Sequence, residues 1–428
     1  MPGNIVTPSP RFPCARYLAK TMRALQYRRM KYAIIIPDGA CDEPLPELED
    51  RTPLEAARTP AMDEIAANGR QGLVQTIPPG MESGSDVAIM CLLGYDPKQY
   101  HTGRAPLEAA AQNIPLSPTD LVLRCNLVTV VEGIMKDHSA GGISDAEARQ
   151  LLAELASHAT FEGVEFYPGV SYRNLMVYRG GLKMDLRTVA PHEIPEEAIE
   201  DYLPAGEGSE MLNTIMAMSQ KLFDGHEINM VRRDNGLNPA SQVWFWGQGH
   251  APTLPSFQKK FGLASGCMIT SVDLLRGLGR LLGWTNREVQ GMTSFHDTNY
   301  KGQGEATAAA LDEFDIVVSH IEAPDEASHQ ADIRTKISSI EAIDKHIVTP
   351  VLAKLKTFDE WRIMVLPDHP TYIKTRKHGN AATPFTIGGT RVSAGRQFPS
   401  YNEKNAAASD LKIELGHELM EYFLRAGM

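Results

Sequence analysis

Apolar and polar positions along this chain alternate between two periods. At Lys31 an unbroken apolar run, KYAIIIPDG, breaks off at Pro-Asp-Gly, as expected of a parallel strand buried on both faces. Helical spacing follows from Pro53 to Gly69, then a short strand, GLVQTI, and a turn at Pro78, Pro79 and Gly80. In GMESGSDVAIMCLLGYDP, the residues Val87, Ala88, Met90, Cys91 and Leu92 read as a buried helix that opens at Ser85 and stops at Gly94. Two later apolar runs, FDIVVSHIEAPDEASH (Phe314 to His329) and WRIMVLPDH (Trp361 to His369), again end in acidic residues and histidines. Strands alternating with helices predict an α/β fold built on a mostly parallel sheet.

From about Ser117 to Ser256 the pattern changes. This stretch carries its own strands, LVLRCNLVTVV and SYRNLMVYRG, a helix from Asp145 to Ser157, and the apolar segment SQVWFWGQG. It predicts a smaller α/β domain, residues 117–256, inserted into a core made of 31–116 and 257–428, with proline-marked hinges at Pro115 to Pro118 and His250 to Pro255. At 428 residues the chain exceeds what one hydrophobic core usually organises, which agrees with two domains. Residues 1–30 are basic and show little periodicity, so they read as a disordered extension, with Met22 or Met30 as alternative starts.

Composition narrows the partners. A net charge of -11 argues against nucleic acid or an anionic membrane, so an anionic substrate has to be met by local arginines or metal ions. No apolar run approaches the ~20 residues that span a bilayer. The five cysteines are widely spaced without a paired motif, which points to reduced thiols in the cytoplasm. The sequence sets no oligomeric state.

The chemistry gathers at strand ends. Asp38 ends the first strand, Asp325 and His329 lie four apart beyond the second, Asp368 and His369 end the third, and His378 follows in a loop. In open α/β sheets ligands bind at the carboxyl edge. Carboxylate and imidazole without thiolate suit two divalent cations, Mn, Zn or Mg. Such a pair stabilises the attacking and leaving oxygens of a phosphoryl transfer, which makes Ser85 at its helix start a candidate nucleophile. Arg104, Arg124 and Arg173 are candidates for binding substrate anions, because guanidinium offers paired donors. Asp137 and His138, in KDHSAGG, are candidates to exchange protons with a substrate hydroxyl.

The segments PDGACD (37–42), TPLEAARTPAMDEIA (52–66), GSDVAIMCLLGYDP (84–97), YHTGRAPLEAA (100–110), RCNLVT (124–129), DEASHQAD (325–332) and LPDHP (366–370) carry a resemblance. Their order and spacing resemble the archaeal-type cofactor-independent phosphoglycerate mutases of the alkaline phosphatase superfamily. The resemblance implies an alkaline-phosphatase-like three-layer core with an inserted cap, and exchange of a phosphoryl group between the 2- and 3-hydroxyls of glycerate through phospho-Ser85, without 2,3-bisphosphoglycerate. It implies one ion on Asp38, Ser85, Asp368 and His369 and another on Asp325, His329 and His378. It also implies a lysine near the transferred phosphate; Gln303 stands there in NYKGQG, with Lys301 two residues earlier as the nearest cation. A branch proposed to act as homoserine kinases resembles PDHPT and DHSAGG equally well. A kinase, a phosphomonoesterase with water as acceptor, and a non-catalytic binding protein therefore remain as alternatives.

Overall fold

The computed structural model describes residues 30–180, 185–393 and 395–425. The expectation of a disordered extension lies outside these, except that Met30 already belongs to the first strand.

Eight strands form the larger sheet, in the order Thr285–Asn286, Gly266–Ile269, Ile316–Ile321, Met30–Pro37, Glu360–Val365, Thr383–Gly389, Arg70–Val74 and Lys412–Ile413. Met30–Pro37 lies at the centre and pairs in parallel with Ile316–Ile321 on one side and Glu360–Val365 on the other. Its alternate residues enter different cores. Tyr32, Ile34 and Ile36 pack with Ile89, Leu92 and Leu278 from helices on one face, and Ala33 and Ile35 with Met62, Ile65 and Ile340 from helices on the other. A strand covered on both sides has no polar face to offer, which is why its sequence reads as a continuous apolar run.

The expected helix from Pro53 to Gly69 is two helices, Pro53–Ala56 and Pro60–Asn68. Pro60 has no N–H to continue the first, and its ring pushes Thr59 out of the helical region. Asp344 instead receives the free Ala61 and Met62 N–H groups.

The smaller sheet has five antiparallel strands, Ile134–Asp137, Leu121–Val131, Arg173–Tyr178, Val164–Val170 and Gln242–His250, the last paired with Leu121–Val131. One face packs on helices Asp145–His158 and Ser209–Asp224 through Leu151, Leu155, Leu212 and Phe223. The opposite face sets Val122, Leu175 and Val177 against Ala105 and Ala109 of helix Arg104–Ala111.

The loop before that helix crosses the Gln242–His250 strand main chain to main chain. A Cβ on Gly103 would fall 2.2 Å from the Gln248 oxygen, and one on Gly249 would fall 2.0 Å from the Thr102 oxygen. Thr102 Oγ1 closes the contact by donating to the His250 carbonyl at 2.6 Å.

Candidate active site

Three adjacent strands of the larger sheet deliver the expected carboxylates to one edge. Asp38 and Asp368 are fully buried and Asp325 nearly so. Helix Ala323–His329 starts at the end of the second strand and puts Asp325 and His329 on one face, with His329 Nε2 3.1 Å from Asp325 Oδ2. His378 was expected in a loop. It sits in a two-stranded ribbon, Thr371–Tyr372 against Lys377–His378, and its Nε2 is 3.4 Å from Asp325 Oδ1.

Ser85 is the first residue of helix Ser85–Leu92, and Gly84 is its N-cap. Its Oγ donates to Asp38 Oδ2 at 3.2 Å and lies 3.2 Å from His369 Nε2. The two ligand groups adjoin, since the His369 and His378 rings are 4.2 Å apart between centroids. All seven expected ligands therefore converge.

Several observations fit divalent cations here. Asp38 Oδ1 and Asp368 Oδ2 are buried and accept no hydrogen bond. Burial, with Asp368, Glu322 and Asp325 close by, raises the Asp38 carboxyl well above its ordinary range. Such a crowd of buried carboxylates stays ionised only beside compensating positive charge. Asp325, Asp38, Asp368 and the histidines are hard-oxygen and imidazole donors of the type that Mn, Zn and Mg accept.

The apolar runs concealed part of the site. His320, in the middle of a buried strand, has Nε2 2.7 Å from Asp38 Oδ2 and Nδ1 3.1 Å from Thr270 Oγ1. Thr270 Oγ1 accepts from Val272 N–H, leaving its own proton for Nδ1, so Nε2–H points at Asp38. Burial lowers this imidazole to about 4 and keeps it neutral. A histidine interrupting IVVSHI was the available signal, because a polar group buried on both faces requires a partner.

Beside Ser85, Asp86 is buried and binds His101 at 2.8 Å and two guanidinium nitrogens of Arg104 at 3.2 and 3.3 Å. Burial would raise its carboxyl, but the Arg104 charge and the His101 bond hold it well below the usual range. Gly84 makes room for this pairing, since a Cβ there would fall 2.7 Å from an Arg104 nitrogen.

A cleft of about 1150 Å³ lies between the two sheets. Gly84, Arg104, His329 and His378 line one wall, and His192, Trp246 and Gln248 the other. Arg124 is set behind Trp246, its guanidinium 4.2 Å from that ring and paired with Glu108 at 2.8 Å. Arg173 is exposed at its strand start, over the Tyr172 ring.

Two of the expected site residues, Lys301 and Asp137, do not line the cleft. Lys301 points to solvent and pairs with Glu305 one turn on. Asn299 caps that helix and turns Lys301 outward, while Gln303 is the residue turned inward, donating to Ser319 and the His320 carbonyl. Asp137 caps a turn and does not line the cleft. Its oxygens accept from Ser139 N–H and O–H, Gly141 N–H and Asn238, and these bonds outweigh burial to hold it down to about 2. His138 is exposed and touches the ring of His192, which does open into the cleft.

A buried carboxylate–imidazole centre at the edge of an α/β sheet, with a serine hydroxyl at a helix start, defines the class of metal-dependent phosphoryl-transfer enzymes. A family profile described as 2,3-bisphosphoglycerate-independent phosphoglycerate mutase matches residues 66–229. A relative of that name from Methanosarcina barkeri is 42% identical over 93% of this chain and 100% of its own. Another from Methanosarcina acetivorans is 46% identical over 91% of this chain and 98% of its own. The solved cofactor-independent phosphoglycerate mutase of Thermoplasma acidophilum superposes with a TM-score of 0.64 at 25% identity, over 93% of this chain and 100% of that one. A solved Pyrococcus horikoshii protein gives 0.76 at 25% identity, over 92% and 97%. The chain belongs to the 2,3-bisphosphoglycerate-independent phosphoglycerate mutase family.

Proposed function

We propose that the protein interconverts 2- and 3-phosphoglycerate through phospho-Ser85, in the cytoplasm and without 2,3-bisphosphoglycerate. The observation that carries this reading is the Ser85 hydroxyl, 3.2 Å from both Asp38 and His369 at a helix start under the cleft. Family membership supports glycerate as the acceptor. No helix among the described residues is long and apolar enough to cross a membrane.

Asp38, Ser85, Asp368 and His369 would hold one divalent ion and Asp325, His329 and His378 a second; bound there, the ions supply positive charge that activates the serine and offsets charge on the transferring group. Ser85 Oγ gives up its proton and forms a bond to phosphorus as the bond to the substrate oxygen breaks, and that oxygen takes up a proton. The other glycerate hydroxyl then gives up a proton and attacks the phosphoserine, and the departing Ser85 oxygen is protonated again. Free N–H groups of the helix start face the phosphoryl oxygens. Arg104, fixed by Asp86, meets the anion with paired donors. His192 is the imidazole that opens into the cleft from the smaller sheet's side. Burial, His138, Arg124 and Arg104 push it down to about 4, so it is neutral at pH 7. We assign residues 117–256 to a cap that closes this cleft.

The test uses metal-stripped protein resupplied with Mn, Mg or Zn in turn and given 3-phosphoglycerate alone, followed by ³¹P NMR. Appearance of 2-phosphoglycerate supports the mutase. Release of free phosphate instead marks a hydrolase, and turnover of an alcohol only when nucleotide is added marks a kinase.

A further inference from the structure

Thr371 is fully buried and touches ligands from both clusters. Its Oγ1 donates to Asp325 Oδ1 at 2.5 Å and lies 3.3 Å from His369 Nδ1. Its main chain stands opposite His378 in the two-stranded ribbon, and its carbonyl accepts from the buried ammonium of Lys336 at 2.7 Å. On the two-ion reading Asp325 and His378 belong to one cluster and His369 to the other, the donor atoms of all three lying within 4.8 Å of one another.

The direction of the hydrogen bonds follows from counting protons. A threonine hydroxyl has one proton, and Asp325 can only accept. With that proton on the Asp325 side, Oγ1 meets His369 as an acceptor, so the imidazole carries its proton on Nδ1. Nε2 is then a lone pair facing Ser85 Oγ and Asp368 Oδ2, the latter 3.4 Å away. The hydroxyl therefore fixes the ligating tautomer of one cluster and the carboxylate orientation of the other. Gly39 keeps the space for it. A Cβ on Gly39 would fall 2.6 Å from Thr371 Oγ1 and 2.7 Å from Asp325 Oδ1, on both ends of the bond.

We propose that Thr371 is a positioning residue that couples the two metal clusters, so that filling one prepares the other. This rests on the two-ion reading of the site. Metal-stripped parent, Thr371→Val, Thr371→Ala and Thr371→Ser are titrated with Mn²⁺ by calorimetry, and the spin coupling of adjacent ions is followed by electron paramagnetic resonance. The parent is expected to take two ions cooperatively and show the coupled signal. Val and Ala should weaken both steps by about 10-fold or more, the usual effect of losing a ligand's outer partner, and abolish the coupled signal. Ser, which keeps the hydroxyl, should restore both. Ala adds no bulk, so it reports on the hydroxyl even where Val fails to fold. Two ions bound with parental affinity and coupling in Val or Ala overturn the proposal, as does a Ser variant as weak as Ala. A parent that takes no second ion removes the two-ion reading itself, and the proposal with it.

Discussion

His329 and His378 face each other through their Nε2 atoms at 3.0 Å, while the Nδ1 of each lies within hydrogen-bond distance of a main-chain carbonyl, Arg376 O at 2.9 Å and Ser83 O at 3.2 Å. Protons donated to those carbonyls leave two lone pairs pointing at one another. Something positive has to lie between them, either a proton or a metal ion.

In the metal-free protein a proton fills that role. The hydrogen bond with Asp325, against the opposing effect of burial, raises His329 from 6.5 to about 9. A raised histidine contributes stability that is fully present below its unfolded value and lost as pH rises through the folded one. Metal-stripped protein should therefore lose thermal stability between about pH 6.5 and 9, and His329→Ala should flatten that loss. Because the ion displaces the same proton, Mn²⁺ affinity should climb over the same range. Scanning calorimetry and metal titration at several pH values check both. A flat profile in the stripped parent counts against the arrangement.

Ser85→Ala should cut turnover by about 10³-fold or more, since the covalent route has no substitute oxygen. Ser83, two residues away, needs its own alanine control. Incubation with ³²P-labelled phosphoglycerate, an acid quench and peptide mapping should place label on Ser85 in the parent and nowhere in the variant. Parental turnover in Ser85→Ala would eliminate the phosphoserine pathway.

Arg104→Lys keeps a positive charge but not the paired donors, and is expected to raise KM about tenfold, the equivalent of one lost charge-assisted contact. Asp86→Asn should shift KM the same way without altering metal content, because it releases Arg104 and leaves the metal ligands intact. Steady-state kinetics alongside elemental analysis separate this outcome from loss of the metal centre. Arg124→Lys and Arg173→Lys, measured in parallel, report whether those arginines meet substrate too.

Lys336 and Asp42 form an ion pair at 2.8 Å with both side chains out of solvent. Lys336→Met leaves Asp42 buried and uncompensated and should cost about 3–5 kcal/mol in urea unfolding. Lys336→Met with Asp42→Leu removes both charges and should recover part of that loss. An equal loss in the single and double variants would show that the stranded charge is not the cause.

The metal edge was legible because its three strands are covered on both faces. Each announces itself as an apolar run, and acidic residues follow it closely: Asp38 and Asp368 directly at the strand ends, Asp325 three residues after Glu322. What the runs contain was harder to read, since His320 looks like an interruption until Asp38 is seen beside it. Thr371 reads as an ordinary turn residue after proline, and its role appears only when Asp325, from a different strand, is brought against it. Strand Thr383–Gly389 was missed because Pro384 and its terminal glycines weaken the strand signal, although it runs antiparallel to both neighbours inside the sheet. Asp137 and Lys301 misled for the opposite reason. Both are charged residues close in sequence to plausible site motifs, and spacing alone does not reveal that one caps a turn and the other faces water.

At the crossing of Gly103 with Gly249, the loop before helix Arg104–Ala111 meets the Gln242–His250 strand main chain to main chain. The loop that carries Arg104 is thus clamped at a joint, and the arginine belongs mechanically to both halves of the molecule. A single added methyl group there would act as a wedge, tilting the smaller sheet and withdrawing the guanidinium from the cleft without touching a metal ligand. The shape of the cleft is set here by atoms that are missing, so its opening is adjustable without a change to any of the proposed metal ligands.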